Sequence, residues 1–278
     1  MKKKITIVSG SRADYGLLQW PIKVLSEDDT FDVTVKKIWN GEVKDLGHPD
    51  LFLVLGDRFE ILDVVTQAHL NRVPVAHIAG GDITEGSYDD AMRDAISRMA
   101  SIHFVTSTAA MARLTHLGYH NVHLVGNPGI DYIKHANWKS RHPFMDENTK
   151  CKPYVVINYQ AETIDGTNEI ESLIESLDER VRVFILPNPD KGSEEISFTI
   201  GKNIRDGDCV YEWLPHDEYL NLIYHCDVLI GNSSSMLYEA PELGIKIKMI
   251  GKRQKGRTLP WGDGLASERM LNILKYCL

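Results

Sequence analysis

Short runs of β-branched and aliphatic residues alternate with amphipathic stretches along almost the whole chain, the pattern of parallel β-sheets covered by helices. Strands are predicted at residues 4–9, 31–37, 51–55, 73–78, 102–105 and 122–125, with helical periodicity over 14–26, 58–70, 89–100 and 107–117. An irregular polar stretch, 134–152, interrupts the series and reads as the domain boundary. A second series follows, with strands at 153–158, 181–186, 209–213, 228–230 and 246–250. Its helices are predicted at 169–177, 194–203, 216–224, 235–243 and near 267–276. The expected fold class is α/β, with two Rossmann-like domains over 1–135 and 153–278, a linker over 136–152, and a last helix free to pack back on the first domain.

The 278 residues suffice for two such domains whose cores need neither disulfide nor metal. Lys and Arg number 31 against 39 Asp and Glu, a net charge of −8 that gives no broad electrostatic footprint for nucleic acid. A local basic face would have to gather residues 2–4, Arg93 with Arg98, or 134–141. Cys151, Cys209, Cys226 and Cys277 are scattered without a C-x-x-C pair, so they read as reduced thiols of a cytoplasmic protein, and a structural zinc is not expected. No apolar run approaches the roughly 20 residues that span a bilayer, and the opening MKKKITIVSG feeds a short strand, so secretion and membrane insertion are both disfavoured.

In open α/β sheets ligands sit at the carboxyl ends of the strands, so the turns that follow them are where function is sought. After the first strand, residues 10–16 lack G-x-G-x-x-G spacing and do not read as a dinucleotide loop; Asp14 can cap the next helix, and Arg12 can project toward an anion. After the third, Asp57, Arg58 and Glu60 place charge at the sheet edge, either functionally or as an ordinary helix start. Residues 77–90 hold four carboxylates, a histidine and three glycines, a density suited to acid/base work and close backbone approach. One of Asp89 and Asp90 has a capping job in that reading, and His77 is equally a core histidine or a functional one. In the second half, residues 187–193 with Asn188 and Asp190 make a turn before a helix. Ser233, Ser234 and Ser235 open another helix, a natural diphosphate site, and residues 251–257 add four cations at the same sheet edge.

The segments GSRADYGLL, PDLFLVLGDRFE, HIAGGDITEGSYDDAMRDAI, VGNPGID, PNPDKGS, IGNSSSMLYEAP and IGKRQKGR occur in an order that resembles the UDP-N-acetylglucosamine 2-epimerase family, in particular its hydrolysing branch. The resemblance implies a glycosyltransferase-B (GT-B) fold with its ligand in an interdomain cleft. It implies that Ser233 and Ser234 hold a diphosphate, that Glu239 holds the ribose hydroxyls, and that Arg12 and Arg253 contact the nucleotide while Asn188 and Asp190 line the same place. Asp57, with Arg58 beside it, matches a catalytic carboxylate; Asp89 and Asp90 match an acidic pair needed for catalysis; Asp82 stands where a glutamate is common. Departures fall at Ala79, where members carry glutamate or histidine, and at Tyr159, where a catalytic histidine is usual. The chain is also shorter than the members it resembles, chiefly between Trp39 and Pro49. The expected function is a UDP-sugar 2-epimerase of the hydrolysing type that releases UDP, using no cofactor and no metal. The alternatives are a glycosyltransferase moving sugar to an acceptor hydroxyl, with a modified DNA base among the candidates, and a UDP-sugar binder without activity. A homodimer is compatible with all three.

Overall fold

The computed structural model describes residues 2–39, 46–139, 153–164, 166, 168–177 and 180–278. The greater part of the expected linker, Cys151, and residues 40–45 of the shortened stretch lie outside the described residues. Contacts divide the chain into two compact units: Met1–Ile83 with Asp89–Ala136 and Thr258–Leu278, and Thr84–Tyr88 with Asn137–Arg257.

The first unit holds six parallel strands, β1 (Lys3–Ser9), β2 (Phe31–Lys37), β3 (Leu51–Leu55), β4 (Val75–Ile78), β5 (Ile102–Val105) and β6 (Val122–Leu124), in the order β2-β1-β3-β4-β5-β6. Every residue of β3, β4 and β5 is buried, as interior strands of a parallel sheet require, while the edge strand β2 alternates. Side-chain alternation splits the core in two. Ile5, Ile7, Leu51, Leu53 and Leu55 pack with Leu18 and Leu25 of α1 (Arg12–Glu27), and Val8, Phe52 and Val54 pack with Ile61, Val64 and Val65 of α2 (Phe59–Leu70) and Ile96 of α3 (Asp89–Met99). The helices α4 (Thr108–His116) and α5 (Pro128–His135) complete the unit's first pass.

The second unit holds β7 (Tyr154–Asn158), β8 (Val181–Ile185), β9 (Cys209–Tyr211), β10 (Val228–Gly231) and β11 (Ile247–Met249), again all parallel, in the order β11-β10-β7-β8-β9. Its helices are α6 (Ile170–Glu175), α7 (Ser193–Lys202), α8 (His216–Tyr224) and α9 (Ser235–Leu243). Val155, Ile157, Phe184 and Ile230 form its core with Ile170, Leu173 and Ile174 of α6 and Ile196 and Ile200 of α7.

The last helix, α10 (Ala266–Cys277), belongs to the first unit, where Met270 and Leu274 enter the core beside α1. Fully buried Asp131 of α5 fastens its start: the carboxylate accepts from the backbone N–H of Ala266 at 3.1 Å and of Ser267 at 2.6 Å, and from the Ser267 hydroxyl at 2.7 Å. The Asp of VGNPGID is thus a helix cap. The division at 153–278 therefore differs from the contact-defined units, because Thr258–Leu278 has its packing partners on the first sheet. Helix α5 itself was not predicted. Asn127 as N-cap, accepting from Gly129 N–H at 3.0 Å, with Pro128 in the first turn, is a start signal that the short apolar pattern obscured.

Candidate active site

In the first sheet the strand order reverses at β1, which lies between β2 and β3, so the loops after β1 and β3 leave from a topological switch point. Ser11 is the N-cap of α1, its hydroxyl accepting from Asp14 N–H at 3.1 Å. Asp14 therefore lies within the first turn of the helix, and the capping role anticipated for it falls to Ser11. Arg12 is exposed at the first helical position, 5.9 Å from the Trp39 ring centre. After β3, Gly56 takes a left-handed turn (φ +81°) that turns the chain into Asp57 and Arg58. Arg58 forks onto buried Glu60, with Nε and Nη2 each 3.1 Å from a carboxylate oxygen.

Asp57 meets the acidic pair through a residue that sequence reading had placed elsewhere. Arg93, buried on α3, donates from one Nη to Asp57 and from the other to Asp90 and, at 2.8 Å, to the carbonyl of Asp82. The basic face that would have used Arg93 against nucleic acid is corrected accordingly: its guanidinium is spent on carboxylates inside the fold. Burial by itself would lower its pKa, but Asp57, Asp90 and Asp82 together raise it. The Asp82 carboxylate is buried, with both oxygens accepting from the Thr106 hydroxyl at 3.0 and 3.1 Å. Asp89 is half-buried at the first residue of α3, where the helix dipole favours a negative charge. The run from Ala79 to Asp90 does not stay together: Gly80 to Ile83 belong to the first unit, whereas Thr84–Tyr88 belong to the second, where Gly86 packs on the backbone of Lys252 and Arg253.

His77 resolves toward structure. It is fully buried, with Nε2 2.7 Å from the Gly56 carbonyl and Nδ1 3.0 Å from the Ser97 hydroxyl. A carbonyl only accepts, so Nε2 carries the proton and Nδ1 accepts from Ser97. The ring braces the glycine that aims Asp57. Burial pushes its pKa down to about 3. A histidine whose folded pKa lies below its unfolded value stabilises fully above about pH 6.5 and loses that stabilisation as pH falls toward 3. In urea titrations, the stability of the wild type relative to His77→Gln is expected to fall by about 1.4 kcal/mol per pH unit across that window; a pH-independent difference would contradict a neutral buried imidazole. Ala79 follows at φ +65°, a left-handed conformation costly for a residue with a Cβ, and its methyl packs on the sheet core.

In the second sheet the order reverses at β7, between β10 and β8, and a network of buried amides occupies that switch point. Asn232 Oδ1 accepts from Gln160 N–H at 2.6 Å and its Nδ2 donates to the Gln160 carbonyl at 2.9 Å. Gln160 donates to Asn158 at 2.7 Å and accepts from Asn188 N–H at 2.9 Å, and Gln254 donates to the Asn232 carbonyl at 2.8 Å. Thus Asn188 is held by its backbone on this network. Asn158 donates to the Tyr219 phenol at 3.1 Å, Tyr219 lies 2.6 Å from the Ser235 hydroxyl, and Ser235 donates to Ser233 Oγ at 3.3 Å. That direction leaves the Ser233 hydroxyl hydrogen to point outward at the start of α9, where Ser234 is the N-cap.

Around this cradle, Arg253 lies 3.9 Å from Asp190, both half-buried. Buried Glu239 of α9 accepts from His216 Nε2 at 2.7 Å. His216 escaped the sequence reading, although its place just after Pro215, where a strand gives way to α8, is the same signal that singled out the serines. The Lys252 backbone N–H donates to Glu162 at 2.7 Å, and Arg257 donates to the Tyr238 phenol, away from Asp190 on which Arg253 closes. Tyr159 is not at this polar surface. Its ring belongs to the unit's apolar core, its oxygen accepts from Glu169 N–H at 3.1 Å, and burial raises its pKa. Strand alternation turns its neighbour Gln160, not Tyr159, to the switch point, so the departure from the usual histidine falls on a core residue.

Two parallel α/β units, each with polar side chains gathered where its strand order reverses, define a protein of the two-Rossmann, GT-B fold class. The sequence pattern of the UDP-N-acetylglucosamine 2-epimerase family matches residues 37–261, and the chain belongs to that family. A Legionella pneumophila protein named UDP-N,N'-diacetylbacillosamine 2-epimerase (hydrolyzing) is 28% identical over 316 aligned residues, covering 92% of this chain and 83% of the relative. The Campylobacter jejuni GDP/UDP-N,N'-diacetylbacillosamine 2-epimerase (hydrolyzing) is 31% identical over 223 residues, which are 75% of this chain and 58% of the relative. Among solved structures, the S. aureus MnaA–UDP co-structure superposes with a TM-score of 0.79 at 18% identity, covering 99% of this chain and 96% of the other. No described helix is long and apolar enough to cross a membrane.

Proposed function

We propose that the chain is a hydrolysing 2-epimerase acting on a UDP-activated 2-acetamido sugar in the cytoplasm. The observation that carries the reading is that one family pattern spans residues 37–261, a range that includes Asp57, Asp82, Asp89 and Asp90 as well as Ser233, Ser234, Glu239 and Arg253. The names of the relatives support an acetylated amino sugar.

The second unit's residues suit the nucleotide. Outward N–H groups of α9, the Ser233 and Ser234 hydroxyls and Arg253 neutralise a diphosphate, with Asn188 and Asp190 beside them, and the Glu239 carboxylate, set by His216, accepts from ribose hydroxyls. The first unit's residues suit the sugar. Arg93 donates to both Asp57 and Asp90, and each keeps part of its surface open, so one can take the C2 proton. The C2–H electron pair becomes the C1–C2 double bond, the C1–O bond breaks with its pair going to UDP, and water then adds at C1 while a proton returns to C2. In D₂O the free 2-acetamido sugar should carry deuterium at C2, read by NMR, and UDP should appear without any acceptor. UDP release only with an added acceptor, and no C2 exchange, would instead fit glycosyl transfer. Asp57→Asn is expected to lower turnover by about 10²–10⁴-fold with UDP affinity unchanged in calorimetry.

A further inference from the structure

The network at the switch point of the second sheet has a direction, and one backbone group sets it. Asn188 N–H can only donate, so the Gln160 atom it meets at 2.9 Å is Oε1, and the Gln160 Nε2 group faces Asn158 Oδ1 at 2.7 Å. Asn232 clamps the main chain of Gln160 at both polar atoms, which gives that side chain a fixed base. Asn158 then has Nδ2 left for the Tyr219 phenol, to which it donates at 3.1 Å. Filled from that side, the phenol gives its own hydrogen to Ser235 Oγ at 2.6 Å, and Ser235 gives its hydrogen to Ser233 Oγ at 3.3 Å. Ser233 Oγ also faces the Ser235 backbone N–H at 3.4 Å, so both of its lone pairs meet donors. Its hydrogen must therefore leave the network. Burial keeps the Tyr219 phenol above its ordinary pKa, and Glu239 adds to the rise, so the phenol carries its hydrogen throughout the neutral range.

We propose that Tyr219, with Asn158 and Gln160 behind it, is a positioning residue for the diphosphate: the relay commits Ser233 to donate, so this position takes a group that offers lone pairs and no hydrogen. That role rests on the reading of the α9 start as the diphosphate site. A serine hydroxyl left to itself turns between donating and accepting. A phosphate oxygen of a nucleoside diphosphate accepts only, and a hydroxyl already turned outward meets it without changing partners, in a charge-assisted bond of the stronger kind. The same chain of bonds ties the turn after β8, through Asn188, to the turn after β10. Strands β8 and β10 flank β7, so the turns on both sides of the switch point present their groups together, with their orientation fixed before the ligand arrives. Tyr219 touches no phosphate in this scheme. It acts through Ser235 and Ser233.

A double-mutant cycle on the full chain tests the relay, with UDP affinity read by calorimetry and uridine affinity by NMR titration. Tyr219→Phe keeps the ring and should weaken UDP binding about 10-fold, the loss of one ordinary hydrogen bond. Uridine affinity should stay within about 2-fold of wild type, because a hydroxyl turned to the phosphates does not act on the nucleoside. In a Ser233→Ala background the same change should lower UDP affinity by less than about 2-fold, since the atom through which Tyr219 acts is gone. Ser235→Ala should behave as Tyr219→Phe does, and it carries the cycle if Tyr219→Phe fails to fold. Additive losses from Tyr219 and Ser233, or equal losses for UDP and uridine, overturn the relay and leave the diphosphate reading intact. A wild type that binds UDP no more tightly than uridine overturns that reading, and the relay with it.

Discussion

Arg93→Met should destabilise the first unit by about 3–5 kcal/mol, the usual cost of removing one partner from a buried ionic cluster. The methionine fills most of the space, so a cavity is not the main cost. Two carboxylates, Asp57 and Asp90, lose the charge between them, and the Asp82 carbonyl loses one donor. Arg93→Lys keeps the charge but not the fork, because one ammonium cannot reach three acceptors arranged for two separate Nη groups. Denaturant titration should therefore rank wild type above Lys above Met. Variants that remain folded should lose UDP release while retaining UDP binding. Equal stability of Met and wild type would mean that the cluster is not closed in solution.

Gly231→Ala is expected to have an effect of similar size in the second unit, on the order of 4 kcal/mol or more. Gly231 ends β10 with φ +144°, and a Cβ there would lie 2.0 Å from the backbone carbonyl of Asn158 on the neighbouring strand. A flexible side chain can move aside, but a strand carbonyl bonded in a sheet cannot. The displacement would also part Asn232 from Gln160 and turn the serines that follow. Loss of cooperative unfolding or a large fall in midpoint, with UDP affinity lost in any folded fraction, is the expected result; a midpoint within a degree of wild type would contradict the register of β7 and β10.

Much of the fold was legible in local pattern. The strands at 31–37, 51–55 and 102–105 and the helices at 216–224 and 235–243 coincide with those observed, because each combines the right period with a clear Gly, Pro or polar boundary. The elements at 73–78 and 209–213 are shorter than expected: β4 starts only at Val75, after Pro74, and β9 ends at Tyr211, before Glu212. Candidate site residues were legible where they follow a strand, as with Asp57 and the triple serine. Arg93 was not, because it lies mid-helix and its sequence neighbours resemble those of any solvent-facing arginine. Tyr159 and Gln160 were transposed in emphasis for a related reason: composition says which residues are present, but only strand alternation says which of two neighbours turns to the core.

By itself the sequence determined two parallel α/β units, the family and the polar turns after each strand, because these depend on period, motif order and residues adjacent in the chain. Tertiary structure alone decided that Arg93 gathers Asp57, Asp82 and Asp90 and that Asp131 caps α10 on the first unit. These partners are separated by up to 136 positions. Their burial and their pairing do not exist until the sheet brings its strand ends together.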